Sequence, residues 1–317
     1  MARSTASSAS PATDAIGGRS LAMLLLRSLR PHQWTKNALV FAGITFSGKL
    51  FDPQSLVAAS AAFVVFCLLS GVVYLINDIR DREADRLHPV KSRRPIASGA
   101  LAPSVATIAA TVLGAIALGG AFAISRAFGV VAVSYLVLLS LYSTVLKHMV
   151  ILDVLTLAMG FVIRAWAGAV AVSVHMSHWL LLLSLMSALF LALCKRRAEL
   201  VSLADDAQRH RKSLAEYSPY LLDQMIGVVT ASTLLAYALY TIDAETVAKF
   251  GSDRLIWTVP FPLYGIFRYL YLVHQREGGG NPSEILLTDR PLQACIVLWS
   301  LTMVALLYGP FAVPPVG

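Results

Sequence analysis

Asn77-Asp78-Ile79-Arg80-Asp81-Arg82-Glu83-Ala84-Asp85 packs four carboxylates and an amide into little more than two helical turns. If a helix runs through them, Asn77, Asp81 and Asp85 share one face, Asp78 sits one turn before Asp81, and Glu83 turns away. Such a ladder of hard oxygen ligands suits Mg²⁺, which keeps some water and bridges one or two carboxylates to substrate phosphates. The expected metal ligands are therefore Asn77, Asp81 and Asp85, with Asp78, Asp81 and Asp85 as the acids nearest the chemistry. The same residues would also make a solvated helix end, its acids paired with Arg80, Arg82 and Arg86.

Downstream, His88-Pro89-Val90-Lys91-Ser92-Arg93-Arg94-Pro95 sets three cations close to the acids, and its prolines end any helix. Lys91, Arg93 and Arg94 could clamp phosphate oxygens, Arg through its fork and Lys as a point charge; the plainer reading is a topological anchor. Lys147 admits the same two readings. Asp153 is either a ligand or a helix cap. Arg164 falls deep within an apolar segment, where an ionised group usually faces a polar cavity and is a functional candidate by default. Arg268, nearer a segment end, could snorkel. The chain has no GxSxG or phosphate-loop motif.

These residues need elements to hold them, and composition says which. Of 317 residues 57% are hydrophobic and only 14% charged, more apolar surface than one water-soluble core can bury. The apolar residues come in blocks long enough to cross a bilayer as helices and lack the alternation of barrel strands. The expected fold is an all-α polytopic membrane protein with nine spans, near 37–50, 55–76, 103–124, 127–146, 151–173, 178–195, 223–243, 255–273 and 291–309. The first is the weakest, being short and interrupted by Gly43 and Gly48. Residues 1–18 read as a disordered tail, residues 19–36 as a lead-in with an amphipathic helix lying in the interface, and 37–317 as one transmembrane catalytic domain.

With the N-terminus inside, Lys and Arg fall twenty on the inner side and four on the outer, and Arg164 and Arg268 lie within spans. The positive-inside rule then gives an inner-membrane topology with both long charged loops facing the cytoplasm. Basic residues placed this way account for the net charge of +8 without a nucleic-acid partner. Cys67, Cys194 and Cys295 all sit in apolar blocks, where neither a disulfide nor a thiolate metal site is expected.

The spacing Asn77-x3-Asp81-x3-Asp85 after the second span, followed by Lys91-Ser92-Arg93-Arg94-Pro95-Ile96 and Gly99, resembles the first aspartate motif of the UbiA-type intramembrane prenyltransferases. The nine-span layout agrees over nearly all of the chain after residue 18. The resemblance implies a UbiA-like helical bundle, a diphosphate bound through Mg²⁺ at two acidic loops, and transfer of the group that leaves it. Tyr142 and Lys147 resemble the Tyr and Lys that flank the family's diphosphate site.

The chain also departs from that pattern. Where the aromatic prenyltransferases carry a second aspartate motif after span six, it has Lys195-Arg196-Arg197-Ala198-Glu199, with Asp205 and Asp206 only later. A more cationic pocket suits a substrate pair bearing more phosphate. Together with Arg30-Pro31-His32-Gln33-Trp34-Thr35-Lys36-Asn37 and the stretch Asn281–Asp289, this resembles the family's branch that makes decaprenylphosphoryl-5-phosphoribose. The resemblance implies 5-phosphoribosyl 1-diphosphate as donor, decaprenyl phosphate as acceptor, diphosphate as leaving group, and a place in the supply of cell-wall arabinan. It also implies a homo-oligomer, with a trimer as the candidate. The residues expected to bind substrate are Lys36, Asn37, Asn77, Lys91, Arg93, Arg94, Tyr142, Lys147, Asp153, Arg164, Lys195, Arg196, Arg197 and Glu199.

Two other functions fit parts of this pattern. An aromatic prenyltransferase of the same fold would take a polyprenyl diphosphate and a quinone precursor. A transporter would place its charges on broken helices near the bilayer midplane, whereas these acids cluster at one face.

Overall fold

The computed structural model describes residues 20–202, 214, 216–250, 252–275 and 282–308, with nothing described of the side chains of 202, 282–284 and 308. The tail 1–18, Asp205, Asp206 and Asn281 lie outside the described residues. Among the described residues every regular element is helical, as the apolar blocks require.

The chain opens with α1 (Leu21–Leu29), a 3₁₀ segment Pro31–Phe41 and α2 (Ala42–Phe46). After α3 (Pro53–Arg80) and α4 (Arg82–Arg86) come α5 (Pro103–Ile124), α6 (Arg126–Thr144), α7 (Leu152–Ala171) and α8 (His178–Ser202). Past the second charged loop follow α9 (Pro219–Ile242), α10 (Ala244–Phe250), α11 (Pro260–Gln275), α12 (Pro282–Thr288) and α13 (Arg290–Tyr308).

Local chemistry sets several of the starts. Asp52 and Ser218 accept from the N–H groups of Ser55 (2.9 Å) and Leu221 (3.1 Å), each followed by a proline at the first helical position. Ser125 caps α6 through Phe128 N–H at 3.0 Å.

Among the described residues seven helices are long and apolar enough to cross a membrane: α3, α5, α6, α7, α8, α9 and α13. The other two expected spans are less regular. The first is the later part of the 3₁₀ segment, from Asn37, running into α2. The eighth is the 16-residue α11, preceded by the 3₁₀ turn Arg254–Thr258. The nine-span layout is compatible with both.

Helix α7 sits at the centre and belongs to two cores. Its Ile163 and Ala167 join Phe66, Leu69, Phe128 and Tyr135 of α3 and α6. Its Val154 and Ala158 join Leu193, Leu222 and Tyr269 of α8, α9 and α11. Small residues let the lead-in cross α7 almost backbone to backbone: a Cβ on Gly168 would lie 1.8 Å from the Val40 carbonyl oxygen. That crossing brings Asn37 beside Arg164.

Candidate active site

Helix α3 ends at Arg80 because Asp81 leaves helical geometry (φ −87°, ψ 8°), and α4 begins at the next residue. Helical hydrogen bonding nevertheless continues through the break, from Asp81 N–H to Asn77 O (2.9 Å) and from Asp85 N–H to Asp81 O (2.8 Å). Asp78, Asp81 and Asp85 therefore keep a common side, while Asn77 falls at its edge.

Asp78 and Asp85 are buried and share Arg94, whose Nη1 lies 3.0 Å from Asp78 Oδ1 and 2.5 Å from Asp85 Oδ2. Arg30 forms a second ion pair with Asp78 and stacks over Tyr74, 4.7 Å from its ring centre. Asp81, whose side chain is 31% exposed, accepts from Lys147 Nζ at 2.8 and 3.0 Å. Glu83 turns outward to Arg82 and Arg86, and the Arg82 hydrogen bond leads in holding its carboxyl below the usual range. Asp78 and Asp85 are thus buried and paired with Arg30 and Arg94, while Glu83 makes the solvated pairing with Arg82 and Arg86.

Arg94 reaches this place because its loop folds back onto the bundle. Ile96 and Leu101 are buried against Val72, Leu75 and Ala106, and Leu101 N–H bonds Pro95 O at 2.8 Å. Gly99 supplies the left-handed turn at φ +80°.

A second wall comes from α7 and α8. Asp153, fully buried at the start of α7, accepts from Arg196 Nε at 2.7 Å, from Tyr217 OH at 2.9 Å and from Val154 N–H at 2.9 Å. Arg196 also holds Glu199 at 2.5 Å, which is 3.7 Å from Lys195, and Tyr142 lies within electrostatic reach of Arg196. Burial pushes the Tyr217 phenol up to about 12, so it remains a donor to Asp153.

Deeper in, Arg164 is buried and has only neutral partners among the contacts described: Asn37 Oδ1 (2.7 Å), Gly160 O (2.9 Å) and Tyr135 OH (2.6 Å). Asn37 also accepts from Ser70 (3.1 Å) and donates to Cys67 Sγ (3.4 Å). Lys36, ahead of the first crossing, lies within electrostatic reach of Lys195, Arg164 and Arg30. Burial first, and then these three cations, lower its ammonium from 10.5 to about 8.

The structure therefore gathers Asn37, Asp78, Asp81, Asp85, Arg94, Lys147, Asp153, Arg164, Lys195, Arg196 and Glu199 through direct contacts, with Lys36 and Tyr142 within electrostatic reach of them. Of the other expected residues, Asn77 falls at the edge of the acidic face, and three more lie outside the cluster. Lys91 and Arg93 are exposed on the loop surface. Arg197 points the other way, to Asp223 of α9 at 2.5 Å, where His274 of α11 also sits at 3.2 Å. The Arg197 guanidinium is committed to that pairing on the α9 side, whereas Lys195 and Arg196 both reach Glu199. Replacing Arg197 with Gln is accordingly expected to leave turnover within about threefold while costing about 1 kcal/mol of stability, read by thermal unfolding beside an activity assay.

Arg30 and Tyr217 are functional candidates that the sequence reading did not single out. The signal for Arg30 was its place just before Pro31, at the end of α1, where it takes φ 53° and turns the chain. Tyr217 carried no local signal.

The carboxylates supply oxygen donors of the kind Mg²⁺ prefers, although among the described residues no three Asp, Glu, His or Cys side chains converge to hold a metal ion. A donor set of one or two carboxylates completed by diphosphate oxygens and water is the usual arrangement for this ion, and Asp81 and Asp85 fit it.

A polytopic helical membrane protein with a cluster of acids and cations at one end of its bundle defines the class. The profile of the UbiA prenyltransferase family matches residues 38–284, so the chain belongs to that family. It is 35% identical to a decaprenyl-phosphate phosphoribosyltransferase of Corynebacterium glutamicum over 298 residues, 92% of this chain and 88% of that one. Its identity to the Mycobacterium tuberculosis protein of the same name is 36% over 285 residues, 88% of this chain and 92% of that one. A UbiA homologue from Archaeoglobus fulgidus, solved bound to DMAPP and Mg²⁺, superposes with a TM-score of 0.68 at 19% identity, covering 89% of this chain and 98% of that one.

Proposed function

We propose that the protein transfers the 5-phosphoribosyl group of 5-phosphoribosyl 1-diphosphate to decaprenyl phosphate or a close polyprenyl phosphate, releasing diphosphate, as a step toward cell-wall arabinan. The observation that carries this reading is the makeup of the second wall. Lys195 and Arg196 stand where an aromatic prenyltransferase has acids, and Arg164 is described only with neutral partners. A buried cation described without a matching anion, as Arg164 is, favours an anionic ligand, and this substrate pair brings a diphosphate, a 5-phosphate and a lipid phosphate. The relatives' names support the same choice.

In this reading Asp81 and Asp85, with Asp78 or Asn77 assisting, would hold Mg²⁺, which would supply charge neutralisation for the leaving diphosphate. Lys147 and Arg94 hold diphosphate oxygens, exchanging their present carboxylate partners for them. Arg196, oriented by Asp153 and Glu199, and Lys195 hold the acceptor phosphate. One acceptor oxygen forms a bond to the ribose anomeric carbon as the bond from that carbon to the diphosphate oxygen breaks, through an oxocarbenium-like state. The acceptor is already ionised at neutral pH, so positioning and charge stabilisation replace a general base. The site faces the cytoplasm of a plasma membrane, where the donor is soluble, and the isoprenoid lies between helices, open to lipid.

Diphosphate release by purified protein in Mg²⁺ should require both substrates. Release with a polyprenyl diphosphate and an aromatic acid instead would assign the protein to the quinone-precursor reaction.

Lys36 gives this reading a pH signature. Its folded-state value of about 8 lies below its ordinary 10.5. The ammonium form therefore penalises folding below about pH 8, and the penalty fades as pH rises toward 10.5. Ligand binding has the opposite sign, since a phosphate favours the charged form. The kcat/KM is expected to fall as pH rises through about 8, and Lys36→Met should flatten that limb. A profile unchanged by the substitution would remove Lys36 from the phosphate site.

A further inference from the structure

The turn between Lys147 and α7 contains a strained residue. Ile151 has φ 67° and ψ −46°, a left-handed conformation that a β-branched side chain strongly disfavours. Its neighbours close a tight three-residue turn, with Leu152 N–H bonding Val150 O at 2.8 Å, the rarer and more strained form of such turns. Four residues upstream, Lys147 reaches Asp81; two residues downstream, Asp153 grips Arg196. The turn therefore sets the angle between a cation at one wall and an anion at the other.

What holds the turn comes from elsewhere in the chain. The buried Tyr217, just ahead of α9, places its hydroxyl where it accepts from Ile151 N–H at 2.7 Å and donates to Asp153 Oδ1 at 2.9 Å. One oxygen thus satisfies the N–H of the strained residue and orients the carboxylate beside it. Packing does not require this, since Phe would fill the same space. We propose that Tyr217 is a positioning residue, whose hydroxyl holds the strained Ile151 turn so that Lys147 faces the diphosphate of the donor while Arg196 faces the acceptor phosphate beside it. This rests on the phosphate-transfer reading above for its substrate, though not for its geometry.

Two variants separate positioning from packing. Tyr217→Phe keeps the ring and removes the bridge, and is expected to lower kcat by about 10- to 100-fold, the scale of a small misplacement of a binding group, with a smaller change in KM. Glycine takes φ 67° without strain, so Ile151→Gly in the Tyr217→Phe background should restore at least a third of the lost activity. Affinity for inorganic diphosphate with Mg²⁺, measured by calorimetry, should fall in the single variant and recover in the double. This second readout stands whatever the acceptor is.

If the wild type binds diphosphate but does not use phosphoribosyl diphosphate, the function reading fails, and the diphosphate affinities alone decide the role of Tyr217. Wild-type diphosphate affinity in Tyr217→Phe, or a loss that Ile151→Gly leaves unchanged, would overturn the proposal.

Discussion

Replacing Asp81 with Asn is expected to abolish transfer while leaving a folded protein. Asp81 is the most open of the three acids, 31% exposed against 3% and 5% for the side chains of Asp78 and Asp85, and the amide has the same shape. The fold therefore loses little, since a partly exposed ion pair is worth about 1 kcal/mol or less. The chemistry loses a carboxylate that would hold the metal and face the leaving diphosphate. A loss of several kcal/mol of charge stabilisation corresponds to a rate lower by about 1,000-fold or more. The measurement is turnover at saturating Mg²⁺ beside the thermal transition in detergent. Retained turnover would refute the metal assignment.

Asp153→Ala is expected to fail in the opposite way. Asp153 is fully buried, and its main partner Arg196 is nearly so. Deleting the carboxylate leaves a buried guanidinium with Glu199 alone and takes the acceptor from Tyr217 OH. Breaking a buried pair in this way costs about 3–5 kcal/mol, enough to unfold many proteins. The expected result is a sharply lowered yield of folded protein, measured by size-exclusion chromatography and thermal unfolding. Asp153→Asn, which can still accept from Arg196, should keep more of the fold while losing activity. A stable, active Asp153→Ala protein would make the second wall dispensable.

The contrast between these two acids shows what the sequence could and could not reveal. The apolar blocks and the positions of their charged ends were legible, because a bilayer demands long apolar helices and tolerates few charges within them. So was Arg164, conspicuous for its depth. The spacing put Asp81 and Asp85 on the face of Asn77 with Asp78 one turn before Asp81, and the acids keep a common side although the helix breaks at Asp81, because the hydrogen bonding continues through the break.

Partner choice was not legible. Arg196 and Arg197 are identical in type and adjacent, and only the rotation of α8, set by packing of Leu193 and Cys194 against α7 and α9, decides which faces the pocket. Arg30 read as the edge of an interfacial helix, since its pairing with Asp78 spans 48 residues. The first crossing read as a weak span because it is short and interrupted by Gly43 and Gly48, yet Gly43 serves a close approach to the backbone of Gly168 and Ala169 that no single segment reveals.

The central claim is that a phosphoribosyl group moves onto a lipid phosphate at this pocket. Purified protein reconstituted in lipid should be incubated with Mg²⁺, decaprenyl phosphate and 5-phosphoribosyl 1-diphosphate labelled in the ribose, and the mixture then partitioned between water and organic solvent. The account predicts label in the organic phase only when lipid phosphate and active protein are both present. Label that stays entirely in water with the wild-type protein would contradict it.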